Sequence, residues 1–179
     1  MMNTSAALKF LLDVLFDTYA FVVLARFILQ LVRADFYNPM SQFTIKVTNP
    51  LLVPLRRIIP GIGGIDLASV VLLLAIELTK IILLSFILAG ALPDPLTLTL
   101  GTLLATISLV ISFFTYAIFM QVIISWVSQG YSPAAQILHQ MTEPLLKPAR
   151  RLIPPMGGLD LSPMLVLLLL SFVRILLGI

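Results

Sequence analysis

Residues 48–67 read TNPLLVPLRRIIPGIGGIDL, and residues 142–161 read TEPLLKPARRLIPPMGGLDL. The two stretches lie 94 residues apart without a gap, and thirteen of their twenty positions are identical. The shared pattern is P-L-L-x-P-x-R-R-x-I-P-x-x-G-G-x-D-L, and a long apolar run follows each copy at once. A stretch that returns at fixed spacing marks a duplicated structural unit, so the chain divides into a first unit over 1–94 and a second over 95–179.

Composition says where such units can live. Of the 179 residues, 60% are hydrophobic and 11% charged, with a mean hydropathy of +1.11. A soluble domain is nearer half apolar and a quarter charged, so this chain belongs in a bilayer. Eleven basic residues against eight acidic ones leave +3, too small an excess to point to nucleic acid. The absence of cysteine removes disulfides, thiolate metal sites and cysteine nucleophiles. The single His139 cannot build a histidine metal site, and the chain shows no catalytic triad or nucleotide loop, so neither an enzyme nor a cofactor is expected. The start MMNTSAALK has no basic region ahead of its apolar run, which predicts a retained helix rather than a signal peptide.

Outward from the repeated stretch, four apolar runs are long enough to span about 30 Å of hydrocarbon: 8–32, 67–91, 97–127 and 161–179. The first carries Lys9, Asp13, Asp17 and Arg26 and is the least pure. Between the spans of each unit, Asn38-Pro39 and Ser132-Pro133 carry the helix-start signal of a capping side chain followed by proline. Behind them, Met40, Phe43, Val47 and Leu51 share one helical face, as do Ala134, Ile137, Met141 and Leu145. These segments are too short and polar to cross, and predict amphipathic helices lying in the interface plane or packed on the bundle. Pro50 and Pro54, like Pro144 and Pro148, are expected to break the helix, which places each Arg-Arg pair in a proline-bounded turn. Gly63-Gly64 and Gly157-Gly158 permit a left-handed turn, and Asp66 and Asp160 can cap the next span. The fold class is therefore all-α: four transmembrane helices in two tandem parallel repeats, each with an interfacial helix and an Arg-Arg/Gly-Gly loop.

Charge sets the orientation. Arg33, Lys46, Arg56 and Arg57 lie between spans one and two, and Lys147, Arg150 and Arg151 between spans three and four, whereas the connection between spans two and three carries only Asp94. By the positive-inside rule both Arg-Arg loops face the cytoplasm and both termini lie outside. Both units then enter in the same direction and are related by an axis along the membrane normal.

At the paired loops the chain resembles the YggT family of bacterial membrane proteins, called YlmG in some lineages and in plastids, over about residues 26–179. It is similar to the two-repeat bacterial form. The resemblance implies an inner-membrane protein without established enzymatic activity, associated with osmotic or potassium-linked ion homeostasis. Some members' genes lie beside cell-division genes, and plastid relatives are linked to cytochrome assembly and nucleoid organisation. A membrane scaffold or assembly factor is the alternative that these associations imply.

Two constellations could carry chemistry. In the loops, Arg56, Arg57, Arg150 and Arg151 stand beside Gly63, Gly64, Asp66, Gly157, Gly158 and Asp160. Guanidinium forks and free backbone N–H groups suit phosphate, so anionic lipid headgroups at the cytoplasmic face are expected partners, together with further copies of the chain or other membrane proteins. The alternative is that these arginines only set topology or pair with Asp66 and Asp160. Within the spans, Lys80 and Arg174 both lie thirteen residues from the start of their runs, about 20 Å deep. Asp17 lies nine residues into span one, about 13 Å from the opposite face, so these residues share the outer half of the bilayer with Asp13. Glu77 lies one turn deeper. The expected pair is Asp17–Lys80, with Glu77 reaching Lys80 or Arg174, either as a cation or proton path or as ion pairs that hold the helices. The second unit carries Ile107, Ile111, Met120 and Ser171 where the first has Asp13, Asp17, Arg26 and Glu77, which argues against a symmetric pore.

Overall fold

The computed structural model describes residues 4–127, 132–153 and 160–179; the expected Gly157-Gly158 turn lies outside them. Among the described residues there are six helices: α1 (Thr4–Leu31), α2 (Pro39–Ile58), α3 (Leu67–Ala89), α4 (Pro95–Val127), α5 (Pro133–Leu152) and α6 (Ser162–Leu177). The only extended pairing among them is the single bridge between Ile62 and Ile65.

Two helices, α3 and α4, are long and apolar enough to cross a membrane, with mean hydropathies of 2.5 and 2.2 over their most apolar windows. Only 22% and 28% of those windows are buried inside the molecule, so most of their apolar side chains face outward. A water-soluble protein would not leave so much apolar surface uncovered. The other two expected spans differ for physical reasons. Helix α6 has 16 residues, about 24 Å against the ~30 Å of hydrocarbon. Helix α1 has ample length at 28 residues but carries four charged side chains.

Two ladders of contacts set the direction of α1 against α3. At one end Gln30 of α1 reaches Arg56, which in turn holds Asp66 at the start of α3. Thirteen residues back along α1 and fourteen forward along α3, Asp17 meets Lys80. These steps are about 20 and 21 Å, equal within one residue, so α1 and α3 run antiparallel. Phe21 of α1 packs on Phe113 of α4 with the rings tilted by 46° and their centroids 4.7 Å apart, and Gln121 near the end of α4 accepts from Thr142 of α5. Ala20, Val23, Leu24 and Ile28 of α1, Leu72, Leu73 and Ile76 of α3, and Leu109 and Phe113 of α4 form the core together with Leu52, Ile137 and Met141 from the short helices.

The short helices correct three expectations. Asn38 and Ser132 do cap them, accepting from the N–H groups of Met40 and Ala135. The prolines do not break them: α2 runs through Pro50 and Pro54, and α5 through Pro144 and Pro148. All four prolines are exposed, so the carbonyls that lose a donor face outward, while the opposite face stays packed. Each Arg-Arg pair therefore lies in the last turn of a helix rather than in a turn, where its charge suits the helix dipole. The two apolar faces also diverge. In α5, Ile137 and Met141 are buried; in α2, Met40, Phe43 and Leu51 are exposed, and Ser41, Thr44 and Thr48 face the bundle with Leu52.

Candidate functional site

The charges of α1 and α3 meet inside the bundle. Lys80 Nζ stands 2.5 Å from Asp17 Oδ1 and 2.7 Å from Glu77 Oε2. Lys80 and Glu77 are one helical turn apart, so α3 aligns that pair by itself, and α1 supplies Asp17 from across the interface. The two carboxylates differ in setting: Glu77 is 1% exposed, whereas the Asp17 side chain is half exposed. Glu77 Oε2 lies off the hydrogen-bonding direction and is held by charge alone.

These three side chains line a cleft of about 440 Å³ among α1, α3, α4 and α6, together with Ser108, Ser112 and Arg174. Arg174 does not reach Glu77; its Nε donates to the carbonyl of Ile179, because its side chain follows the exposed end of α6 toward the last residues. Asp13 is half-buried on α1, one turn before Asp17, and makes no ion pair among the described residues.

At the other end of the bundle, Arg56 closes the loop on itself. Its Nη2 donates to Asp66 Oδ2 at 2.5 Å and to Gln30 Oε1 at 3.0 Å, and its Nε donates to Asp66 Oδ1 at 3.3 Å. Asp66 does not cap the backbone of α3 as expected; Arg56 and the Ser69 hydroxyl occupy its carboxylate instead. Burial alone would push that carboxyl up, but Arg56 and Ser69 outweigh it and hold it below the usual carboxylate range. Gly63 and Gly64 make the chain reversal between them. Both have positive φ, 61° and 85°, the signs of a type I′ turn, and Ile62 and Ile65 exchange two backbone hydrogen bonds across it.

The second loop repeats the closure with different chemistry. Arg150 pairs with Asp160 at 2.9 Å and with Glu143 at 2.6 Å. Asp160 also accepts from the N–H of Ser162, so here the carboxylate does serve the next helix. Burial raises the Asp160 carboxyl, and Ser162 and Arg150 bring it below its ordinary range. Arg57 and Arg151, the second member of each pair, are exposed. His139 is more than half exposed and contacts Gln121 and Glu143.

One residue was not singled out as a site from the sequence. Arg26 is 8% exposed in α1, and its Nη1 donates to Ile45 O, Thr48 Oγ1 and Asn49 Oδ1 at 3.1, 2.9 and 2.8 Å. It fastens α1 to α2 through neutral acceptors, with no ion pair among the described residues. A signal was present: a lone arginine in an apolar run, with no carboxylate three or four residues to either side.

The described residues define an all-helical protein with two helices long and apolar enough to cross a membrane and with acidic and basic side chains paired inside the bundle. A family model described as CCB3/YggT matches residues 5–87 and 100–179. The chain belongs to that family. It is 48% identical over 178 residues to the Pseudomonas aeruginosa protein PA0392, covering 98% of this chain and 90% of the relative. It is 44% identical to YggT of Escherichia coli K12, with 97% and 88% covered, and 42% identical to a Vibrio alginolyticus protein encoded in the proC 3′ region, with 96% and 94% covered. No solved structure matches the chain.

Proposed function

We propose that this chain is a four-span, non-enzymatic protein of the bacterial inner membrane, built of two parallel repeats with both Arg-Arg loops cytoplasmic, and that it acts in ion homeostasis through the cleft around Lys80. The observation that carries this is the Asp17–Lys80–Glu77 cluster at the wall of a polar cleft within otherwise apolar helices. Ionised groups at membrane depth are costly and are kept where they face a path or a partner. The two carboxylates outnumber the one ammonium that pairs with them, an imbalance that a proton or a monovalent cation can offset, since Arg174 of the same cleft pairs with neither. Lys80 is shared between a half-exposed and a buried carboxylate, so a cation arriving at Asp17 competes with the ammonium and leaves Lys80 to Glu77. The hydroxyls of Ser108 and Ser112 add oxygen ligands in the same cleft. The second unit keeps a basic residue, Arg174, where the first has Lys80, but has Ile111 and Ser171 in place of Asp17 and Glu77, which leaves one such carboxylate pair per chain.

Cells lacking the protein test this reading. Their potassium content after a hyperosmotic shift should depart from that of the parent, and the wild-type chain should restore it, while Asp17→Asn and Glu77→Gln should not. Full restoration by both variants would remove the cleft from the function.

A second reading rests on Arg57 and Arg151. Each is exposed beside an exposed apolar residue, Ile58 at 78% and Leu152 at 76%, a combination that suits an anionic leaflet surface or a membrane-protein partner. In that reading the chain is a scaffold or assembly factor. Replacing Arg57 and Arg151 by glutamine should then release whatever co-purifies with the protein and leave ion handling intact.

A further inference from the structure

The inward end of Arg26 opens on a second cavity, of about 220 Å³, between α1 and α2 at the Arg-Arg end of the bundle. Arg26, Gln30, Ser41, Thr44 and Arg56 supply its polar wall. Three of its features point to one ligand chemistry. First, the charges do not balance: Arg26 and Arg56 bring two guanidinium groups, and Asp66, already bonded to Arg56 and Ser69, is the one carboxylate paired with either of them among the described residues. Second, Arg26 uses only Nη1 for its three hydrogen bonds, so its Nε and Nη2 make none among the described residues. Third, Ser41 is 4% exposed and its Oγ is buried without a hydrogen-bond partner. A buried cation without a counter-ion is costly, and a guanidinium fork beside an idle hydroxyl matches the oxygens of a phosphate.

The second unit makes the contrast. Met120 replaces Arg26 and Ile124 replaces Gln30, while Glu143 stands where the first unit has Asn49. There Thr142, the counterpart of Thr48, donates to Gln121 Oε1 instead of accepting from an arginine, and Arg150 is flanked by two carboxylates. The same frame thus carries one surplus positive charge in the first unit and one surplus negative charge in the second.

We infer that the cavity between α1 and α2 is a binding site for one phosphate group, gripped by Arg26 and Arg56 with Ser41 donating from below. Its volume holds a phosphate but not an acyl chain, so a lipid would insert its headgroup only. It is separate from the cleft around Lys80, one molecule end away.

The test uses the full chain in a neutral detergent. One arm titrates inorganic phosphate by calorimetry. The other adds phosphatidylglycerol or phosphatidylcholine and counts retained lipids by native mass spectrometry. The expected result is one saturable anion per chain in at least one arm, preferred over phosphatidylcholine. Arg26→Met, which installs the residue of the second unit, should weaken it at least tenfold. Gln30→Glu, at an exposed position beside Arg56, should do the same by cancelling the surplus charge. Lys147→Gln, at an exposed basic residue of the second unit, should leave it unchanged. Retention of phosphatidylglycerol without phosphate binding identifies a lipid headgroup as the source, and binding of both identifies a pocket open to free phosphate. Binding in neither arm would overturn the inference. So would equal binding by the wild type and Gln30→Glu, or an equal loss in Lys147→Gln, which would reduce the effect to surface charge.

Discussion

Replacing Lys80 by methionine separates the two carboxylates by what each loses. Asp17 is half exposed, and an ion pair in that setting contributes about 0–1 kcal/mol. Glu77 is 1% exposed and has Lys80 as its counter-ion, and stripping the partner from a buried charge costs about 3–5 kcal/mol. Lys80→Met should therefore destabilise the protein by about 3–5 kcal/mol, nearly all of it through Glu77. The double variant Lys80→Met/Glu77→Gln removes the stranded charge and should recover more than half of the loss. Asp17→Asn alone should stay within about 1 kcal/mol. Equilibrium unfolding by sodium dodecyl sulfate in mixed micelles, followed by far-ultraviolet circular dichroism, reads all of these differences. The reasoning fails if Lys80→Met costs less than about 1 kcal/mol, or if the double variant is no more stable than the single one.

The loop closures make three more predictions. Arg56→Gln strands the buried Asp66 carboxylate and should cost about 1–3 kcal/mol, whereas Arg57→Gln should change stability by less than about 0.5 kcal/mol in the same unfolding assay. Asp66 and Asp160 are both held below their ordinary range, so their contribution is fully present above the unfolded value of about 3.9 and is lost as the pH falls through the folded values. The thermal midpoint should thus hold steady near neutrality and drop below about pH 4, and Asp66→Asn should flatten part of that drop. Gly64→Ala places a Cβ at a φ of 85° and should cost about 1–2 kcal/mol, seen as a lower thermal midpoint, although the space around it is open.

What could be read from residues alone follows from how local each feature is. The boundaries of α3 and α4 fall within two residues of the apolar runs, because hydropathy and the flanking Asp66, Gly90 and Pro95 are all local signals. The meeting of Asp17 and Lys80 was legible from depth, since two antiparallel helices of known rise must bring those levels together. The prolines of α2 and α5 misled because their effect depends on which face they occupy, and all four sit on the outward one. The packed face of α2 differs from the apolar stripe: Ser41, Thr44 and Thr48 turn inward there, Thr48 because Arg26 needs an oxygen ligand, and hydropathy alone scores all three as surface. Arg174 was placed at the right level, but its side chain turns toward the Ile179 carbonyl, a choice that depth cannot reveal.

The most direct test of the cleft's role is ion flux in proteoliposomes of the purified protein. The account predicts a proton or monovalent-cation flux above that of empty liposomes, abolished by Asp17→Asn and by Glu77→Gln, with both variants folded. An absence of flux for protons, potassium and sodium, with folded protein inserted in both orientations, would contradict it.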